Sequence, residues 1–236
     1  MSQQAIEYGF QVSPKSIRVD IGMPVHFPYL PFPTVVSLVD TVKVCTAAGI
    51  AIRQISPVGC SLVTDARSAV VDEFLKGDGT HLFWIDSDIH WLPKDFMRLL
   101  TLCTQVEVIG ATYPLKVEPI RFVVRRLGKK TSKFGLIDVE GLGLGFTVMR
   151  REVVERVAAG KPTIATNGGT APMREVFTLE KTANGYRMSE DIKFFQDIRE
   201  AGYTVWLDPM VNIAHVGVKL YVGSVEDAIT GSADGW

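Results

Sequence analysis

The chain has 236 residues, enough for one sizeable α/β domain. Its 25 lysines and arginines balance 26 aspartates and glutamates, a near-neutral field that argues against bulk binding to a nucleic-acid backbone. Cys45, Cys60 and Cys103 are odd in number and form no C-x-x-C pair, which excludes a disulfide framework and a cysteine zinc site and fits a reducing cytoplasm.

The opening MSQQAIEYGF has no basic stretch followed by an apolar core, so no signal peptide is expected. Residues Ile21 to Val39 are uncharged and about as long as a membrane span, but Pro24, Pro28, Pro31 and Pro33 would break a helix there. The stretch reads as a loop after a first strand, Ile17 to Met23. Thr34 then suits a helix cap, and Val35, Leu38, Val39 and Val42 have the spacing of a face packed on one side. A strand, Ile50 to Ile55, follows. Thr64 suits the cap of a second helix with Ala66, Val70 and Phe74 inward, and Gly77 and Gly79 break the chain before the apolar run His81 to Ile85. Pro93 fits the first turn of a third helix with Phe96, Leu99, Leu100 and Cys103 on one face, and Val106 to Ala111 is a further strand.

This alternation predicts an α/β fold, a mostly parallel sheet with helices on both faces in a single domain, with ligands at the carboxyl ends of the strands. The second half is less regular. It holds a strand-like stretch Ile120 to Leu127, glycines at Gly141, Gly143 and Gly145, and a helix from about Arg151 to Ala159. Lys161 to Arg187 reads as a polar, flexible insertion, ahead of a helix Glu190 to Ala201 and a strand Tyr203 to Leu207. The domain is expected to occupy residues 1–222, with a flexible tail over 223–236.

Asp86 and Asp88 follow a buried strand, where two carboxylates on a turn can share a hard cation such as Mg²⁺ or Mn²⁺. Chance alone supplies about one Asp-x-Asp per chain of this composition, so a solvated turn is the competing reading. Glu190 and Asp191 after Ser189 suit a helix start electrostatically, and equally suit a general base facing a site. His215 is either a buried, hydrogen-bonded histidine or a neutral ligand completing the coordination begun by Asp88. Arg67 and Lys116 are long cations near strand ends, suited to phosphate contacts or to solvent. EGLGLGF is neither a P-loop nor a dinucleotide fingerprint, and reads as close backbone approach near the site. Lys116, Arg121, Arg125, Arg126, Lys129, Lys130 and Lys133 face only Glu118 in charge, so this segment is a solvated hairpin or a dock for an anionic acceptor.

In order and spacing, FWIDSDIHWLP, YPLK, GLGFTVMRREV, SEDIKFFQDIREAGYTVWLDP and AHVG resemble the GT-A fold glycosyltransferases, especially the compact family 2-like enzymes of phage, viral and bacterial genomes. The resemblance runs from Ile17 to Gly217. It implies a Rossmann-like GT-A domain, a nucleotide-diphosphate-sugar donor, with UDP-sugar favoured, and Mn²⁺ or Mg²⁺. It further implies Asp88 on the metal, Asp86 near the ribose or metal, and His215 as the late metal ligand. Asp191 becomes the catalytic base with Glu190 beside it, and Lys116 and Arg67 lie near the donor phosphates or sugar. The loop HFPYLPFP departs from the short polar base contact usual there, leaving Phe27, Tyr29 or Phe32 to stack on the base, or Asp65 to contact it.

A glycan, a protein, a lipid carrier or a modified nucleobase all stay open as acceptor, with no transmembrane segment expected and the cytoplasm, of the host cell if viral, as location. A metal-dependent nucleotidyltransferase would need a glycine-rich basic signature that IGMPVHFPYL lacks. A non-catalytic nucleotide-sugar or glycan-binding domain is disfavoured by the intact Asp86, Asp88, Asp191 and His215.

Overall fold

The computed structural model describes Gly9 and residues 12–131, 134–165 and 172–226, the side chains of 126–131 excepted. In chain order the elements begin with β1 (Arg18–Gly22), α1 (Phe32–Ala48), β2 (Ala51–Ile55), α2 (Val63–Lys76), β3 (His81–Ile85), β4 (Ile89–His90), α3 (Pro93–Cys103) and β5 (Val108–Gly110). They continue with β6 (Val124–Thr131), β7 (Ile137–Leu142), β8 (Phe146–Arg150), α4 (Arg151–Ala158), β9 (Thr163–Ile164), β10 (Met173–Arg174), β11 (Glu180–Lys181) and β12 (Arg187–Met188). The last are α5 (Glu190–Glu200), β13 (Val205–Leu207), β14 (Ala214–Val216) and β15 (Leu220–Tyr221).

Eight strands form the central sheet in the order β2, β1, β3, β8, β5, β13, β7, β6. β1 runs parallel to β2 and β3, and β5 to β13, while β8 and β7 are antiparallel to both their neighbours. Only β7 and β8 therefore run against the common direction, and the sheet is mostly parallel as expected.

Alternation along β3 shows how one strand serves two cores. Phe83 and Ile85 join the cluster of α1 and α3, including Cys45, Phe96 and Leu100, whereas Leu82 and Trp84 join that of α2, α4 and α5, including Phe74, Val153 and Phe194. A strand buried on both faces needs a continuous apolar run, which HLFWI supplies. Each such side chain stabilises the fold by roughly 1.5–3 kcal/mol. Helices thus cover both faces of a single domain.

One helix is turned around relative to expectation. The face of α1 that packs inward is Thr34, Ser37, Thr41, Cys45 and Ala48, while Val35, Val39 and Val42 are exposed and Leu38 is half-buried. The cause is polar. β4 has a sheet neighbour on one side only, so its other edge needs partners. Thr34 Oγ1 donates to the Ile89 carbonyl (2.8 Å), Ser37 Oγ to the Trp91 carbonyl (2.8 Å), and Trp91 Nε1 to Thr41 Oγ1 (2.9 Å). Satisfying buried backbone outweighs burying valines. Thr34 consequently lies inside the helix, which starts with Pro31 at the cap position, and Thr64 likewise lies one residue inside α2, capped at Leu62.

The stretch Lys161 to Arg187 is anchored rather than wholly polar. Val176 and Phe177 are buried, and Phe177 packs on Trp84 and Phe194. Residues 166–171 of that stretch lie outside the described residues. The strand expected from Ile120 begins at Val124 and pairs with β7 as a hairpin. Of the stretch expected as a tail, Val225 is fully buried with its amide on Asn212 Oδ1, and residues 227–236 lie outside the described residues.

Candidate active site

At the carboxyl end of β3 the chain turns through Asp86, Ser87 and Asp88 into β4. Three backbone bonds fix that turn: Asp86 N to Gly145 O (3.0 Å), Ile89 N to Asp86 O (3.2 Å) and Val216 N to Asp88 O (2.7 Å). β14 pairs antiparallel with β4, setting His215 opposite Ile89 and hence beside Asp88. His215 Nε2 lies 3.3 Å from Asp88 Oδ2, and its Nδ1 lies 3.0 Å from the Pro114 carbonyl. A carbonyl only accepts, so Nδ1 carries the hydrogen and a neutral ring turns the Nε2 lone pair toward the carboxylate. Two lone pairs at that separation call for a cation between them, a proton on the ring or a metal ion.

Lys116 Nζ sits 2.6 Å from the same Asp88 Oδ2. Burial pushes the Asp88 pKa up, but hydrogen bonding with His215, given a proton in that gap, and then with Lys116 more than offsets it and holds the carboxyl below its ordinary range. Among the described residues no three His, Cys, Asp or Glu side chains converge as a metal cage. Asp88 and His215 are the pair of donors that face one another there, with Lys116 on the same Asp88 oxygen, whereas both Asp86 oxygens are engaged by Arg67 and Tyr113.

Arg67 engages the first of them. From α2 it reaches Asp86 Oδ1 (3.2 Å) and Glu190 Oε1 (2.7 Å), joining the acidic turn to the start of α5 with its side chain only 6% exposed. Burial lowers the guanidinium pKa, and Asp86, Glu190 and Asp191 more than reverse this, so it stays charged. The side chain expected to meet phosphates is an internal clamp. Tyr113 OH donates to Asp86 Oδ2 (3.2 Å); burial and then the Asp86 charge push its pKa well up, keeping the hydroxyl protonated.

The glycine segment makes the close approach inferred for it. A Cβ on Gly145 would lie 2.4 Å from Asp86 Oδ2, and one on Gly143 would lie 2.4 Å from Tyr113 OH. Asp191, half-buried in the first turn of α5, accepts at Oδ1 from the Ile192 amide (2.9 Å) and from the Ser189 hydroxyl, leaving Oδ2 open among the described residues. Ser189 occupies the cap position, yet its hydroxyl serves Asp191 instead of capping the helix.

Asp65 stands apart from these groups. It lines a cavity of about 700 Å³ with Arg53, Ser56, Val58 and Cys60, beyond the end of β2. A smaller cavity of about 350 Å³ lies between Val25, His26, Cys60, Ala66 and Ser87, next to the acidic turn. Of the HFPYLPFP rings, Phe27 and Tyr29 stack on each other with centroids 5.4 Å apart, and both face solvent with Phe32. His26 is the ring that lines the smaller cavity. In the basic segment, Lys116 pairs with Asp88 and Arg125 with Glu140, while Lys133 and the side chains of Arg126, Lys129 and Lys130 lie outside the described residues.

Sequence reasoning named Asp86, Asp88, Arg67, Lys116, Glu190, Asp191, His215 and Asp65; the structure places the first seven around the acidic turn and the start of α5, and Asp65 apart from them. That reasoning gave no part to Tyr113 or Ser189. Tyr113 carried one usable signal, an aromatic ring with a polar tip just past a strand end; Ser189 carried none beyond its position before the acids.

No family model and no curated protein matches the chain in sequence. Among solved structures it is similar to A197 from STIV, with a TM-score of 0.51 and 19% identity over 87% of this chain and 93% of that one. It is also similar to GalNAc-T7, solved with UDP, GalNAc and Mn²⁺, with a TM-score of 0.55 and 10% identity over 85% of this chain and 44% of that one. The chain has a GT-A fold. On this GT-A frame the acidic turn, the loop carrying Tyr113 and Lys116, and the start of α2 all follow the carboxyl ends of parallel strands, where open α/β sheets bind ligands. No helix among the described residues is long and apolar enough to cross a membrane.

Proposed function

We propose that this chain is a metal-dependent glycosyltransferase that moves a sugar from a nucleotide-diphosphate sugar to an acceptor hydroxyl. The observation that carries the reading is the pair Asp88 Oδ2 and His215 Nε2, 3.3 Å apart with the imidazole held by Pro114. A carboxylate with one imidazole is a donor set that would suit Mn²⁺ better than Mg²⁺. Asp88 and His215 would hold such an ion, which would supply positive charge toward the leaving diphosphate.

The remaining roles follow from the protein's own atoms. Asp86 is fixed by Arg67 and Tyr113 on the inner side of the turn, where it orients the ribose side of the donor. The cavity between His26 and Ser87 takes the nucleoside, with UDP-sugar the favoured donor, while Asp65 lines the neighbouring larger cavity. Glu190 is neutralised by Arg67, whereas Asp191 keeps Oδ2 open, so Asp191 is the group that accepts the acceptor's proton. GalNAc-T7, which shares the fold, was solved with UDP, GalNAc and Mn²⁺, in keeping with this donor class.

The test is a thermal-shift screen against UDP, GDP, CDP and dTDP and their sugars, each with Mn²⁺ and with EDTA, since a ligand of the folded state raises apparent stability. A shift that needs both metal and one nucleotide, and is lost in Asp88→Ala, is the expected result. No shift with any donor overturns the reading.

A further inference from the structure

Three residues of one short segment, Tyr113, Pro114 and Lys116, touch the acidic turn and His215. Tyr113 OH donates to Asp86 Oδ2, the Pro114 carbonyl accepts from His215 Nδ1, and Lys116 Nζ contacts Asp88 Oδ2 at 2.6 Å. The last contact falls on the very oxygen that His215 Nε2 faces at 3.3 Å. An ammonium in contact with that oxygen and a divalent ion in the gap beside it would be like charges within a few ångströms, which repel strongly. Lys116 and a metal ion therefore compete for Asp88.

The surroundings of Lys116 suit a side chain that moves. Its side chain is 36% exposed, unlike the buried Arg67 clamp. Its stem lies over Gly217, where a Cβ would come within 3.1 Å of Lys116 Cδ, so a bare glycine provides the surface along which it runs.

We propose that Lys116 is an exchangeable counter-cation. It neutralises Asp88 until a divalent ion is held by Asp88 and His215, then swings to the donor diphosphate, which supplies the negative charge it has left. The exchange rests on the donor reading above. It implies that metal alone binds weakly, because Asp88 must first release Lys116, and that metal and donor favour each other's binding.

The test is calorimetric titration of Mn²⁺, without nucleotide, into the wild type, Lys116→Met and Lys116→Arg. Removing a partly exposed ammonium from contact should tighten Mn²⁺ binding by about fivefold in Lys116→Met. Lys116→Arg, which keeps the charge, should stay near the wild type. Equal Mn²⁺ affinity in all three overturns the exchange while leaving the metal site standing. No Mn²⁺ binding by any of them overturns both the exchange and the metal-dependent reading.

Discussion

Replacing Arg67 with methionine would keep much of the buried stem and delete the guanidinium that links Asp86 to Glu190. The two ion pairs removed span 3.2 and 2.7 Å, between an arginine side chain 6% exposed and carboxylates 28% and 14% exposed. Removing one partner of a buried ion pair costs about 3–5 kcal/mol, chiefly because the remaining charge is stranded. Partial access of water to Asp86 and its bond from Tyr113 put the expected loss near the lower figure, about 3 kcal/mol, a large part of a typical folding free energy of roughly 5–15 kcal/mol. Adding Glu190→Gln removes one stranded charge, so the double variant should be less destabilised than the sum of the singles by about 1–2 kcal/mol. Urea unfolding at pH 7.5 of the four proteins in the cycle measures both quantities. A single-variant loss below about 1 kcal/mol, or strict additivity, would refute the clamp and return Arg67 to the donor phosphates.

Asp191→Asn should leave nucleotide and Mn²⁺ binding intact while cutting turnover by about 100-fold or more, and normal turnover in a transfer assay would remove Asp191 as base. Gly145→Ala places a Cβ 2.4 Å from Asp86 Oδ2, an oxygen pinned by Tyr113. The variant should lose about 1–3 kcal/mol of stability and bind donor more weakly, read by urea unfolding and calorimetry. His81 gives a pH dependence: burial and then the Arg150 charge lower its pKa to about 4. Because the unfolded chain takes up that proton near its ordinary value and the folded chain does not, stability is full above about pH 6.5 and falls as pH drops toward 4. Between pH 7.5 and 5 this one group should remove about 2 kcal/mol, and His81→Gln should lose correspondingly less over the same interval.

The parts of the fold legible in sequence were those where burial and hydrophobicity agree. Leu82 to Ile85 are apolar without a break because both faces of β3 are covered, and Phe96, Leu99, Leu100 and Cys103 recur at helical spacing because α3 packs one face on the sheet. Helix α1 defeated the same rule, since its inward positions carry hydroxyls that satisfy the edge of β4 and its valines face out. Within the site, the acids and His215 were visible as types and positions. The partnership of Arg67 with Glu190 was not, because it joins residues 123 apart through a sheet order that no local pattern encodes. Tyr113 escaped for a related reason: its meaning lies in the oxygen that it touches, beside the bare glycines of the turn between β7 and β8.

The seating of β4 on the hydroxyls of α1 ties the acidic turn to a helix that takes no part in the site itself. Asp88 adjoins the two residues of β4, and beyond them Ser37 both donates to the Trp91 carbonyl and accepts from the Trp91 amide. Exchanging Ser37 or Thr41 for apolar residues of similar size would look conservative in an alignment and would loosen the floor beneath Asp88. Drift at those two positions is therefore constrained from a distance, by a carboxylate that neither of them meets.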